Sequence, residues 1–407
     1  MSAFVWIAAL SLVSWLWLLL CQGFFWRTDV RLPPAAREPA DWPDVCVVVP
    51  ARDEAAVLPE SLPSLLAQDY PGRAEIFLVD DGSTDGTGVL ARQLAERHGG
   101  LPLTVLSSPG EPPAGWTGKL WAVRHGIAHA RGSETGELGD LPDGHARARA
   151  REPEFLLLTD ADIAHAPDSL RALVASARAG GYDLVSLMAR LRVESLWERL
   201  VVPAFVYFFA QLYPFRRIGR RGGRTAAAAG GCVLLRTETA VRARVPDSIR
   251  QAVIDDVALA RAVKGGGGHI WLGLAERVDS VRPYPGLGDL WRMVSRSAYA
   301  QLRHNPLLLA GTVLGLALVY LVPPLALVTG SAPAAVLGGL AWAVMTGTYV
   351  PMLRYYRQPL WLAPLLPFTA FLYLLMTVDS AVQHYRGRGA AWKGRTYARP
   401  EAVSDEG

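Results

Sequence analysis

Cysteine is scarce in this chain. Cys21, Cys46 and Cys232 are the three among 407 residues, far apart and with no redox or metal-ligand spacing. They frame neither a disulfide scaffold nor a cysteine metal site, and all three read as buried thiols. His125, His165, His269 and His304 also lack ligand spacing, so they carry no metal role. An excess of one charge is missing too: 41 Lys and Arg against 37 Asp and Glu leave a net charge of +4. With no basic block interleaved with aromatics, nucleic acid is not a partner. No internal repeat is present. No basic segment precedes the first apolar run and no small-residue cleavage site follows Cys21, so that run is not a cleaved signal peptide.

What the chain has in plenty is apolar surface. Its hydrophobic content of 51% exceeds the need of a soluble domain, and part of the excess belongs in lipid. Phe4 to Trp26 carries no charge and has the roughly 20 residues needed to cross a bilayer. Arg27, Arg31 and Arg37 follow, which places the next domain on the cytoplasmic side. Three further apolar stretches, Pro306 to Thr329, Ala334 to Pro351 and Leu360 to Val378, form a C-terminal membrane domain. Arg354 and Arg357 mark one break as cytoplasmic, yet the tail with Arg386, Arg388, Lys393, Arg395 and Arg399 is basic as well. Three simple crossings do not satisfy both, so one stretch is expected to be re-entrant or to hide a hairpin, with Pro323 and Pro324 at the break. The resulting organisation is a membrane helix over 1–27, a linker over 28–44, a cytoplasmic domain over 45–303, a membrane domain over 304–380 and a basic tail over 381–407. This describes a multi-pass membrane protein whose central domain lies on the cytoplasmic side.

Within 45–303, short apolar runs at Cys46 to Val49, Ile76 to Val79, Leu103 to Leu106 and Phe155 to Leu158 each precede an amphipathic stretch. That alternation predicts βαβ units, an α/β domain of Rossmann-like type with a mostly parallel sheet. Such sheets place ligands beyond the carboxyl ends of their strands. Three of the runs end in polar clusters: Pro50 to Glu54, Asp80 to Ser83, and Asp160 to Asp162. The clusters should converge on one crevice. Residues 131–152 lack an apolar period and read as a surface insertion. Leu200 to Phe215 is apolar and aromatic, too short for a confident span, and runs into Arg216, Arg217, Arg220, Arg221 and Arg224, which suits an interfacial helix.

Asp160-Ala161-Asp162 sets two carboxylates two residues apart after an apolar strand, able to hold a hard divalent cation and leave positions for phosphate oxygens. Asp80-Asp81 ends another strand and leads into Gly82-Ser83-Thr84-Asp85-Gly86-Thr87, a turn that also caps a helix.

Together with Gly115-Trp116-Thr117-Gly118-Lys119 and Ile254-Asp255-Asp256, these segments resemble, in order and spacing over about 250 residues, family 2 glycosyltransferases of the GT-A fold. Gly115 to Lys119 and the terminal Trp392-Lys393-Gly394-Arg395-Thr396-Tyr397 are similar to the branch holding ceramide glucosyltransferases and hopanoid-biosynthesis-associated glycosyltransferases of the HpnB type. The resemblance implies a nucleotide-sugar pocket lined by Pro50, Arg52, Asp53, Glu54, Asp80, Asp81, Lys119 and Asp160, with Asp81 on the base and Lys119 near the diphosphate. It implies a Mg²⁺ or Mn²⁺ ion on Asp160 and Asp162, and Asp256, beside Asp255, as catalytic base. The implied reaction is an inverting, non-processive transfer from a UDP-sugar to a lipid acceptor among the membrane lipids, with no covalent enzyme intermediate. Gly230-Gly231-Cys232 would let acceptor and backbone approach closely. One departure stands out: the Gln/Arg-x-x-Arg-Trp motif of processive members and ceramide glucosyltransferases is here Met293-Val294-Ser295-Arg296-Ser297. Only Arg296 is retained, as a contact to phosphate or a structural ion pair, which argues against polymer synthesis.

The competing reading is a membrane transporter or scaffold whose transferase domain only binds. It requires ionisable groups within the spans, and the C-terminal stretches offer chiefly Asp379. Polyprenyl phosphate or a ceramide-like lipid is the alternative acceptor.

Overall fold

The computed structural model describes residues 3–32, 38–132 and 152–387, with the backbone of 391–392 and 395–396. Most of the expected insertion at 131–152, Arg37, and the side chains of the Trp392 to Tyr397 motif and the basic tail beyond Gly387 lie outside the described residues. The chain divides into two compact units, one built on a sheet and one of helices.

The sheet unit takes residues 31–191 and 221–282. Its strands are β1 (Val45–Ala51), β2 (Ala74–Asp80), β3 (Leu103–Ser107), β4 (Phe155–Thr159), β5 (Ile163–His165), β6 (Leu184–Leu191), β7 (Cys232–Arg236) and β8 (Ile270–Ser280). They are ordered β3-β2-β1-β4-β7-β6-β8-β5. The four apolar runs expected as strands are β1 to β4, and they lie side by side and parallel. All seven residues of β1 are buried, because a central parallel strand is covered on both faces and so reads as a continuous apolar run. β7 runs antiparallel to β4, pairing Cys232 with Thr159. The start of β7 therefore lies at the same sheet edge as the ends of β1, β2 and β4. Helices Leu58–Leu66, Thr87–His98, Gly118–Ala130 and Ser169–Gly180 connect the strands. Cys46 and Cys232 are buried as expected; Cys21 is exposed, at the end of an apolar helix of the other unit.

The helical unit gathers residues 1–30, 192–220 and 283–390. Four of its helical stretches are long and apolar enough to cross a membrane: Ala3–Cys21, Pro306–Ala326, Ala332–Tyr355 and Leu360–Tyr385. In the first, Val5, Ala8, Ser11, Trp15 and Leu18 are buried at three- and four-residue spacing, so one face packs and the rest stays outward. Small residues bring the helices close. A Cβ on Gly338 would stand 2.4 Å from the Ala326 Cβ, so only glycine permits that approach.

Pro323 and Pro324 do not open a hairpin. The helix runs through them after widening to π-type bonding over Ala317–Leu321, where Val322 N donates to Ala317 O. Pro323 has no N–H to give to the carbonyl four residues earlier, Val319. The indole of Trp15 donates to that carbonyl instead, at 2.6 Å. A proline break is thus absorbed by one wide turn and a neighbour's side chain.

The stretch expected at the interface forms helix Leu196–Leu212, begun by a Ser195/Glu198 capping box and with its buried residues concentrated between Val201 and Ala210. Its polar groups are used within the helical unit: Tyr207 Oη is 2.8 Å from Thr348 Oγ1, Tyr320 donates to Gln211, and Tyr373 donates to Val201 O at 3.1 Å. The aromatic face is covered by other helices, which is why it reads as apolar without being a span.

Candidate active site

Each polar cluster at the sheet edge is fixed by short-range chemistry. After β1, Asp53 adopts a left-handed φ of 50°, a conformation that Asp tolerates through local hydrogen bonds. Its Oδ1 accepts from Thr84 N at 2.8 Å, and its own N–H donates to Ser83 Oγ at 3.0 Å. Glu54 N donates to Thr87 Oγ1 at 2.8 Å, and Ala55 N to Asp85 Oδ2 at 2.9 Å. The loops after β1 and β2 are therefore stitched together by the turn that the sequence offered as a helix cap. Asp80 Oδ1 accepts from Ser83 N at 3.0 Å. The Asp81 side chain is fully buried, with the Arg52 guanidinium 3.7 Å from its carboxylate.

The loop between β4 and β5 carries Asp160 and Asp162. Ser61 Oγ donates to Ala161 O at 2.6 Å and Val281 N to Asp162 O at 2.9 Å, holding its backbone in place. Beneath it, Thr159 Oγ1 donates to Gly231 O at 2.8 Å, which leaves His165 Nε2, 3.0 Å away, as donor to the same hydroxyl. Burial pushes the His165 imidazole down to about 4. It is a neutral brace beneath the loop.

A small recess opens here, lined by Pro50, Lys119, Thr159, Asp160, Gly230, Asp255 and Asp256 among others. Lys119 lies in the first turn of helix Gly118–Ala130, whose N-cap is Thr117. Its ammonium is 2.8 Å from Asp160 Oδ1 and 3.0 Å from Asp255 Oδ2. Burial opposes that charge, but Asp160 and Asp255 outweigh it and raise the lysine's pKa. Burial also raises the Asp160 carboxyl above its ordinary value, against the pull of Lys119. Asp255 and Asp256 open helix Asp255–Gly265. Asp256 Oδ2 accepts from Gly230 N at 3.0 Å and Oδ1 from Val257 N at 2.7 Å. Burial, and then the like charge of Asp255, push Asp256 up to about 7. A carboxylate titrating there is suited to take a proton near neutral pH. Gly230 lies against both groups: a Cβ there would stand in ordinary van der Waals contact with Lys119 Nζ at 3.4 Å and Asp256 Cβ at 3.5 Å.

Arg282, just after β8, was not among the residues expected at this site. Its Nη2 lies 2.7 Å from Glu54 Oε2 and its Nε 3.1 Å from Asp162 Oδ2, while Ser280 Oγ donates to the same Asp162 oxygen at 3.0 Å. Glu54 and Asp162, expected on separate ligands, share one guanidinium. Arg296 lies on helix Leu287–Gln301 of the helical unit, outside this set. Asp160 and Asp162 each face a cation, Lys119 and Arg282, and among the described residues no group of three or more His, Cys, Asp or Glu side chains is gathered as a metal site. Two carboxylates alone fit a hard divalent cation only where phosphate oxygens and water complete its shell.

Residues 46–241 match the family model described as Glycosyl transferase family 2. The beta-monoglucosyldiacylglycerol synthase of a Synechocystis strain is 29% identical over 148 residues, covering 32% of this chain and 30% of the relative. The undecaprenyl-phosphate 4-deoxy-4-formamido-L-arabinose transferase of Pseudomonas aeruginosa is 32% identical over 157 residues, 38% of either chain. The matched region thus spans well under half the length of these curated relatives. A mannosyltransferase from Pyrobaculum calidifontis, solved in complex with GDP-Man and Mn²⁺, aligns over 94% of this chain and 99% of its own at a TM-score of 0.57 and 20% identity. At that identity the likeness speaks for the fold alone, and the fold is GT-A with four apolar helices that fit membrane spans.

Proposed function

We propose, starting from the family 2 glycosyltransferase domain that residues 46–241 form, that this chain transfers one sugar from a nucleotide-sugar donor to a membrane lipid, with inversion. The observation that carries the reading is the recess itself, where Asp256 is pushed up to about 7 beside Lys119, Asp160 and Asp255. Asp256 takes the proton of the acceptor hydroxyl as its oxygen bonds to the anomeric carbon. The bond from that carbon to the diphosphate breaks on the opposite face, so no covalent enzyme intermediate forms. Lys119 offsets charge on the leaving diphosphate, and Arg52 and Asp81 line the nucleotide end. Mg²⁺ or Mn²⁺ held by Asp160 and Asp162 would supply Lewis-acid neutralisation of that diphosphate. The glycolipid product in the name of one relative and the undecaprenyl phosphate in the name of the other support a lipid acceptor, and a UDP-sugar is the donor we favour. A polycyclic lipid of hopanoid type fits the resemblance to that branch; polyprenyl phosphate is the second acceptor class. The apolar helices, with Arg27 and Arg31 following the first, support a multi-pass protein of a bacterial inner membrane whose catalytic unit, taken as 45–303, faces the cytoplasm.

The test uses the full chain in detergent with UDP-sugars, Mn²⁺ and lipid extract. The expected product is a lipid heavier by one sugar residue, with inverted anomeric configuration by NMR. Release of free sugar without a glycolipid, across a panel of donors and lipids, would overturn the reading.

A further inference from the structure

The placement of Lys119 is hard to explain as a stabiliser of its own helix. It occupies the first turn of Gly118–Ala130, where the helix dipole disfavours a cation. The loop that carries it is nevertheless tied down, with Thr117 N donating to Arg250 O at 2.9 Å and Thr117 Oγ1 accepting from Leu120 N at 3.3 Å. This anchoring delivers the ammonium to two carboxylates from different parts of the chain, Asp160 at 2.8 Å and Asp255 at 3.0 Å. The ammonium side chain is 19% exposed. Asp162 has a different cation, Arg282.

We propose that Lys119 is a resident counter-cation of the acidic recess, competing with a divalent metal ion for Asp160. The inference rests on the metal reading given under Proposed function. Asp160, Asp255 and Asp256 crowd one recess, and without a positive charge among them their mutual repulsion would have to be relieved by a proton or by another cation. A lysine fills that role and still yields. Its flexible stem and single-point charge lack the two-pronged geometry with which arginine locks a carboxylate. Arg282 on Asp162 and Glu54 is the contrasting case, a fixed fork at the rim. In this arrangement a metal ion alone meets an occupied carboxylate and binds weakly. A nucleoside diphosphate supplies the anionic oxygens that accept both the metal and the displaced ammonium. Lys119 thereby ties metal capture to the presence of donor.

The experiment measures Mn²⁺ alone, then Mn²⁺ with UDP, binding to the full chain in detergent, by loss of the free-Mn²⁺ electron paramagnetic resonance signal. Lys119→Met removes the charge, and Lys119→Gln removes it while keeping an amide N–H donor on the side chain, which guards against misfolding. Without UDP, both variants should bind Mn²⁺ on the order of tenfold more tightly than the wild type, the scale of one lost competitor charge at partly buried sites. Their melting temperatures should rise more on adding Mn²⁺ than the wild type's does. Variants that bind Mn²⁺ alone no better than the wild type, while the wild type binds it with UDP, would overturn the counter-cation role and leave the metal reading standing. Absence of Mn²⁺ binding to any of the three, even with UDP, would overturn both.

Discussion

Asp256→Asn offers the sharpest perturbation of the site, because the structure bears on both its chemistry and its structural cost. The carboxylate accepts one backbone N–H on each oxygen, Gly230 at 3.0 Å and Val257 at 2.7 Å. Asparagine keeps one acceptor, so one of these donors loses its partner, at a cost of about 1–3 kcal/mol. Removing a buried charge beside Asp255 offsets part of that loss, and the fold should survive. Turnover should not: a missing general base costs about 10²–10⁴-fold. The pH dependence separates a base from a bystander. With Asp256 at about 7 in the folded protein, the ionised base disappears below that pH, and the rate should fall about tenfold per unit on the acid side. Stability should move the opposite way. The folded state holds this proton more tightly than the unfolded chain, whose Asp titrates near ~4, so protonation of Asp256 stabilises the fold fully below about pH 4. That contribution is lost as pH rises through about 7. Transfer of labelled sugar to lipid gives the rate, calorimetry with UDP gives donor affinity, and thermal melts across pH give stability. An Asp256→Asn enzyme retaining more than a tenth of wild-type turnover, with the acid limb intact, would refute the assignment.

Asp255→Asn removes the second cause of the raised Asp256 value and leaves the larger one, burial; the acid limb of the rate profile should move below 7 yet remain above the ordinary carboxylate range, and an unmoved limb would show that the two charges do not interact. Arg282→Gln leaves Glu54 and Asp162 without their shared guanidinium and should cost about 3–5 kcal/mol in chemical denaturation of the detergent-solubilised chain. A loss below about 1 kcal/mol, the scale of an exposed pair, would reduce the contact to a surface ion pair. Trp15→Phe retains a ring against Tyr320 but withdraws the donor to Val319 O, and should lower stability in detergent by about 1–2 kcal/mol. An unchanged melting temperature would mean that the wide turn satisfies its own carbonyl.

How much of this was legible depended on whether the partners were local. Strands β1 to β4 announce themselves because each is a short apolar run with a turn beyond it, and burial on both faces of β1 leaves no polar alternation to confuse the reading. The clusters at their ends were readable by the same logic, since parallel neighbours must deliver their carboxyl ends to one edge. Pro323 and Pro324 suggested a break because the local rule is sound; the donor that rescues Val319 O sits on Trp15, 304 residues away. The partners of Leu196–Leu212 are distant in the same way, as polar groups on it, the Tyr207 hydroxyl and the Val201 carbonyl, are met by Thr348 and Tyr373, far along the chain. Arg282 is the instructive omission. Its carboxylate partners lie 228 and 120 residues earlier, and an arginine after Ser280 and Val281 carries no motif. Yet β8 is an apolar run ending in polar residues, as β1, β2 and β4 are, and the strand-end rule applied to it would have singled out Ser280 and Arg282. What that rule could not supply is the pairing of Ile163 with Ser280, which brings the end of β8 beside the Asp160–Asp162 loop and turns an ordinary surface arginine into a rim of the site.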